Sequence, residues 1–167
     1  EYGWGSYVSP TLLYYKARTS KTTSVFADAS YQVTESLKIG AGIRNFDDDV
    51  TSTGGNVVTN VWNSTNTGLD VIVPIESDTT LDSGRVQIYA KVGSNPYEKI
   101  GDYEFIQSEE VGAIKTVSFP RDSIEALVGY AENDTLYFKS HLFDIPGNET
   151  EGAESATKLL IDETHPV

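Results

Sequence analysis

The residues best suited to chemistry in this chain are acids, and three of them stand in a row. Asp47, Asp48 and Asp49 are followed closely by Thr51, Ser52 and Thr53. Calcium takes roughly six to eight oxygens from carboxylates, carbonyls and water, and a loop of this composition supplies several. The three aspartates are therefore the candidate calcium ligands. Asp78 and Asp82 form a second acidic loop. Neither loop has EF-hand spacing, so the competing reading is a solvated acidic turn. Histidine, the usual proton shuttle, occurs only at His141 and His165. A catalytic histidine needs a nucleophile and an orienting acid, and no nucleophile-elbow spacing is present. Carboxylate pairs of the kind that hydrolyse glycosides abound among 25 acids, yet no pair is set apart from the others. No catalytic residue is assigned.

Two tyrosines suggest a different chemistry. Sugar rings stack on exposed aromatic faces, and Tyr89 and Tyr97 lie on and beside one predicted hairpin. They are the candidate ligand-binding pair, against the ordinary alternative of cross-strand packing. Asn63-Ser64-Thr65, Asn133-Asp134-Thr135 and Asn148-Glu149-Thr150 match the N-glycosylation acceptor pattern. Gly54-Gly55 lacks the following Lys-Ser/Thr of a phosphate loop.

The elements that must position these residues are strands. Leu69, Val71, Val73 and Ile75 alternate with Asp70, Ile72, Pro74 and Glu76; Val86, Ile88, Ala90 and Val92 alternate with Arg85, Gln87, Tyr89 and Lys91. A period of two sends one set to a core and the other to solvent. The pattern predicts strands at Val57–Trp62, Leu69–Ile75, Arg85–Val92, Lys99–Ile106, Ala113–Phe119, Thr135–Phe143 and Thr157–Ile161. Ser24–Val33 and Leu37–Phe46, joined by three residues, predict an N-terminal hairpin. Asp47–Asn56 reads as a loop. Arg121–Val128 is the one helical candidate, with Asp122 and Glu125 at capping-box spacing and Ile124, Leu127 and Val128 as its apolar face.

The chain has 167 residues, no cysteine and a formal net charge of −13. Without cysteine there is neither a disulfide framework nor a thiolate zinc site. The negative charge disfavours nucleic acid and anionic lipid. No apolar run approaches the roughly 20 residues of a spanning helix, so no membrane insertion is expected. Abundant Thr, Ser, Asn, Gly and Tyr suit a secreted or cell-surface β-protein. Tyr2, Trp4, Tyr7, Tyr14 and Tyr15 crowd the start of the chain and call for a packing partner, in the same molecule or a neighbour.

The expected fold is all-β: an antiparallel β-sandwich with an N-terminal hairpin extension and one short helix. Residues 1–54 form the aromatic segment and hairpin, and residues 55–167 the sandwich. Three features carry a family resemblance: Trp62 near an early strand, the hairpin Arg85–Ile106, and the aromatic-rich strand Thr135–Phe143 after a short corner. Residues 57–161 thereby resemble immunoglobulin-like and fibronectin-type-III-like domains of bacterial surface proteins. A single jelly-roll-like sandwich is the alternative. The hairpin is also similar to those of outer-membrane β-barrels over about 25 residues, but the later strands are too acidic to continue one.

Three functions follow in order. The first is a non-enzymatic extracellular structural protein, the subunit of a surface filament, appendage or layer. It would assemble through β-strand and aromatic contacts, with self-association or other surface proteins as partners. The second is a carbohydrate-binding or adhesive module. The third is a carboxylate-dependent hydrolase. No cofactor is expected beyond calcium.

Overall fold

The structure, a computed structural model, describes residues 25–34, 37–45 and 48–164. Contacts divide the chain into two compact units, Glu1–Asn45 and Phe46–Val167. The candidate assembly residues Tyr2, Trp4, Tyr7, Tyr14 and Tyr15 lie outside the described residues, as do Asp47 and His165.

In the first unit, strand β1 (Val25–Thr34) pairs antiparallel with β2 (Leu37–Asn45). This is the hairpin the alternation predicts. Its register runs from Val25↔Asn45 to Tyr31↔Ile39 and shifts between Gln32 and Thr34. Gly40 and Gly42 stand opposite Ser30 and Asp28.

Among the described residues the second unit carries nine strands: β3 (Asp49–Thr53), β4 (Val61–Asn63), β5 (Gly68–Pro74), β6 (Arg85–Val92), β7 (Glu98–Phe105), β8 (Ile114–Pro120), β9 (Thr135–Phe143), β10 (Glu149–Glu151) and β11 (Leu159–Asp162). One helix, α1 (Arg121–Glu125), follows β8. A three-stranded sheet has the order β3-β5-β8. A six-stranded sheet has the order β4-β11-β9-β6-β7, with β10 also on β9. The fold is all-β and sandwich-like. Leu69, Val71, Val117 and Phe119 from one sheet join Trp62, Ile88, Leu136 and Phe138 from the other in one buried apolar cluster. Alternation explains the arrangement: β8 buries every second residue and exposes the rest. Trp62 and Phe138 are fully buried, and large side chains so placed stabilise by about 1.5–3 kcal/mol each.

The structure corrects four local expectations. Asp49–Thr53 is a strand, not part of a loop: Val50 and Ser52 are buried, and β3 pairs with β5 from Asp49↔Ile72 to Thr53↔Gly68. The stretch 57–62 is strand only from Val61, because Val57 and Val58 are 51% and 43% exposed. The helix stops at Glu125, Pro120 occupies its N-cap with no side-chain bond, and Glu125 engages Arg121 instead of a cap. Ile124 and Leu127 are buried there as expected, but Val128 is 61% exposed. Finally, the six-stranded sheet is mixed, since β4 pairs parallel with β11.

Candidate functional site

The outer face of the six-stranded sheet gathers most of the chemistry-bearing side chains. Cross-strand register builds it row by row. Phe105, Arg85, Phe143 and Glu149 stand opposite one another on β7, β6, β9 and β10. Gln87, His141 and Glu151 form the next row on β6, β9 and β10. Lys99, Tyr89 and Lys139 follow on β7, β6 and β9, then Lys91 and Tyr137 on β6 and β9. Directly opposed residues share a face, so period-two alternation delivers the whole array.

Tyr97, from the turn after β6, completes it. The Lys139 ammonium lies 4.5 Å from the Tyr97 ring centre and 5.9 Å from that of Tyr89. Lys91 lies 4.6 Å from Tyr97 and 4.8 Å from Tyr137, and Lys158 lies 4.7 Å from Tyr137. These are cation–π distances. Tyr89 and Tyr97, singled out from the sequence, are thus neighbours bridged by one lysine. Tyr137, Lys91, Lys139 and Lys158 are the members the sequence reading missed. Their signal was the shared parity of Tyr89/Lys91 and Tyr137/Lys139.

Acids close the array. Glu154 accepts from the Tyr97 hydroxyl at 2.7 Å and pairs with Lys91 and Lys158. Glu151 pairs with Lys139. Burial, then the Glu154 carboxylate, raises the Tyr97 phenol above its ordinary value. The same hydrogen bond, ahead of the lysines, lowers Glu154, and Lys139 lowers Glu151. The array is therefore a self-neutralising lattice of rings and charges, not a field of one sign.

His141 sits at its edge. Its Nδ1 meets Glu149, its ring lies 4.3 Å from Tyr89, and its buried Nε2 has no hydrogen-bond partner. A histidine with an orienting acid but no hydroxyl on its other nitrogen is half a triad.

Two of the three aspartates in the acidic row make long-range bonds. Asp48 is buried and accepts from Ser140 at 2.9 Å, while its carbonyl accepts from Ser155. Asp49 accepts from Thr157 at 2.9 Å. These bonds latch the start of β3 to β9 and to the segment before β11. Among the described residues no group of three or more His, Cys, Asp or Glu is gathered around a metal-sized space. Asp78 caps the 3-10 turn Thr79–Leu81, and Asp82 accepts from Ser108 at 2.8 Å.

Of the three glycosylation-pattern asparagines, Asn63 and Asn148 donate their amide groups to Asn56 and Asp144. Asn133 is exposed, with φ +65°.

At the edges, the two sheets differ. β7 bounds the six-stranded sheet, but its register with β6 shifts between Val86 and Ile88, and Gly101 there has φ +62°. A Cβ at Gly101 would meet the Phe119 ring at 2.8 Å, so the irregularity needs glycine. Among the described residues β8 bounds the three-stranded sheet, with seven consecutive pairs to β5 and no irregularity.

The chain matches no protein-family model, and neither a curated protein nor a solved structure matches it.

Proposed function

We propose that this chain is a non-enzymatic structural protein, a subunit of an extracellular surface filament, appendage or layer that assembles through β-strand contacts. The observation that carries this reading is the regular outer edge of β8. Ile75 N donates to Ala113 O, and Arg121 N donates to Thr67 O, at the two ends of the β5–β8 ladder. Antiparallel hydrogen bonding alternates, so residues 113, 115, 117, 119 and 121 bond toward β5. Ile114, Thr116 and Ser118 then turn their N–H and C=O outward. Their side chains are exposed and uncharged. Proteins that stay apart protect such edges with charges, bulges or proline, as β7 is protected here.

The strand order supports the immunoglobulin-like part of the reading. β5 beside β8, and β11, β9 and β6 in succession, reproduce the B-E and G-F-C neighbours of that family. Trp62 lies on β4 instead of the strand that would be C. The test is electron microscopy with light scattering on the full chain. Regular assemblies are expected; a monomer at all concentrations would overturn the reading.

A second reading, a carbohydrate-binding or adhesive module, is favoured by the Tyr89–Lys139–Tyr97 cluster. Retention on a glycan that is lost in Tyr97→Ala would support it.

A further inference from the structure

We infer that the edge of β8 pairs with the same edge of a second copy, antiparallel about a two-fold axis at Thr116, joining two three-stranded sheets into one of six strands. This rests on the assembly reading and names its building block. Three observations lead to the second copy as occupant.

The first is register. The outward-turned groups belong to Ile114, Thr116 and Ser118, spaced by two and centred on Thr116. An antiparallel two-fold sets Thr116 against Thr116, and Ile114 against Ser118 on both sides. All three form hydrogen-bonded pairs, and all three side chains share the exposed face. A Thr–Thr pair is a favourable cross-strand contact, and the partner's Ser118 leaves room for Ile114, which is 54% exposed here. Pro120 cannot donate, so it marks where pairing ends.

The second is charge. Acids outnumber bases 25 to 12 in the chain, so two copies repel wherever acidic surfaces meet. The outward positions of β8 carry no charge, and its single ionic side chain, Lys115, is turned inward and paired with Glu104 and Glu110. The nearest acid is Asp70, to which Ser118 donates at 2.6 Å, so two copies meet along this edge without setting like charges directly opposite one another. The third is the contrast with β7, whose irregular register at Gly101 leaves no even ladder to extend. The interface is isologous, so it closes at two copies, and a longer assembly would be built from dimers. Because strand pairing buries little area, association is weak, in about the micromolar range or above. Salt strengthens it by screening the acidic surfaces.

The test is sedimentation of the full chain across concentration and salt. The wild type is expected to show a monomer–dimer equilibrium that tightens with salt. Thr116→Glu and Thr116→Lys each place like charges opposite one another and should weaken dimerisation at least about tenfold. Mixed in equal amounts, the two variants should pair again, which only opposition of Thr116 to itself explains. Circular dichroism shows whether each variant is folded, and Ile114→Lys supplies a second edge charge if one is not. Dimers unaffected by these changes, or no rescue on mixing, would overturn the two-fold edge while leaving the assembly reading intact. A wild type that stays monomeric at every concentration and salt would remove both. Pairing of β8 with an unrelated extended peptide but not with itself would overturn the choice of occupant.

Discussion

Arg121 offers the sharpest test of how this fold is closed. Its guanidinium spends its donors on four partners: Nε on Glu125 at 2.6 Å, one terminal nitrogen on the carbonyls of Asn63 and Asn66 at 2.9 Å each, and the other on both Glu163 oxygens at 2.7 Å. Glu163 also accepts from Tyr130, whose oxygen in turn accepts from Trp62 Nε1 at 2.8 Å. One side chain thus ties α1, the end of β4 and the chain after β11 to the largest core residue. Arg121→Ala leaves a carboxylate and two carbonyls without their cation. Charge-assisted bonds contribute about 1.5–3 kcal/mol each when buried. Here Arg121 is 23% and Glu163 26% exposed, so water recovers part of the loss. The Glu125 pair, exposed and one turn along the helix, adds only about 0.3–0.5 kcal/mol. The expected destabilisation is about 2–4 kcal/mol for Arg121→Ala, against about 0.5 kcal/mol for Glu125→Ala. Arg121→Lys keeps the charge without the fork and should fall between them. The assay is urea unfolding followed by Trp62 fluorescence in a Trp4→Phe background, with the midpoint shifting at constant slope. A double-mutant cycle with Glu163→Gln should show strong coupling. Arg121→Ala within about 0.5 kcal/mol of the parent, or additivity with Glu163→Gln, would refute this reasoning.

Other consequences are as specific. Tyr97 and Tyr130 are raised by burial first, then by Glu154 and Glu163 respectively. Their folded-state stabilisation is complete below the ordinary tyrosine value of about 10 and is lost as pH climbs through the raised values. Ultraviolet titration should therefore show Tyr97 and Tyr130 ionising late, and Glu154→Gln should return Tyr97 toward ordinary behaviour. Glu151 and Glu154 are depressed, so what they contribute is present above the ordinary carboxylate value of about 4.3 and fades as pH falls through their lowered values. Carboxyl-carbon NMR should place both midpoints below that value, and Lys139→Ala should raise the one for Glu151. Phe138→Ala should cost about 3–5 kcal/mol in the same urea assay. Leu160→Ala, 43% exposed, should cost about 0.5 kcal/mol or less.

Legibility in the sequence followed the ratio of apolar to polar signal. β6 and β9 match their predicted bounds because alternating Val, Ile, Leu and Phe leave no other face to bury. β3 was hidden by the aspartates before it, although Val50, Thr51 and Thr53 are β-branched residues suited to a strand. β10, Glu149-Thr150-Glu151, has no apolar residue at all; backbone bonds flanking its ladder to β9 hold it, and its two acids meet His141 and Lys139 across the pairing. Local sequence carries no trace of such a tertiary cause. The same limit applies to the site. Tyr89 and Tyr97 were legible as a pair on one hairpin, whereas Tyr137 and Lys139 joined them only through register with β9. The aspartate row suggested a cation; what local sequence does not show is that Asp48 and Asp49 also accept from Ser140 and Thr157, partners about a hundred residues away in sequence.

If the chain assembles through strand contacts at the edge of β8, as proposed, amide hydrogen exchange over a concentration series reads that edge directly. The amides of residues 115, 117 and 119, bonded to β5, should be protected at every concentration. Those of Ile114, Thr116 and Ser118 should exchange freely when dilute and become protected as the chain is concentrated. Exchange at these three that stays fast at all concentrations, with the inward amides still protected, would contradict the account.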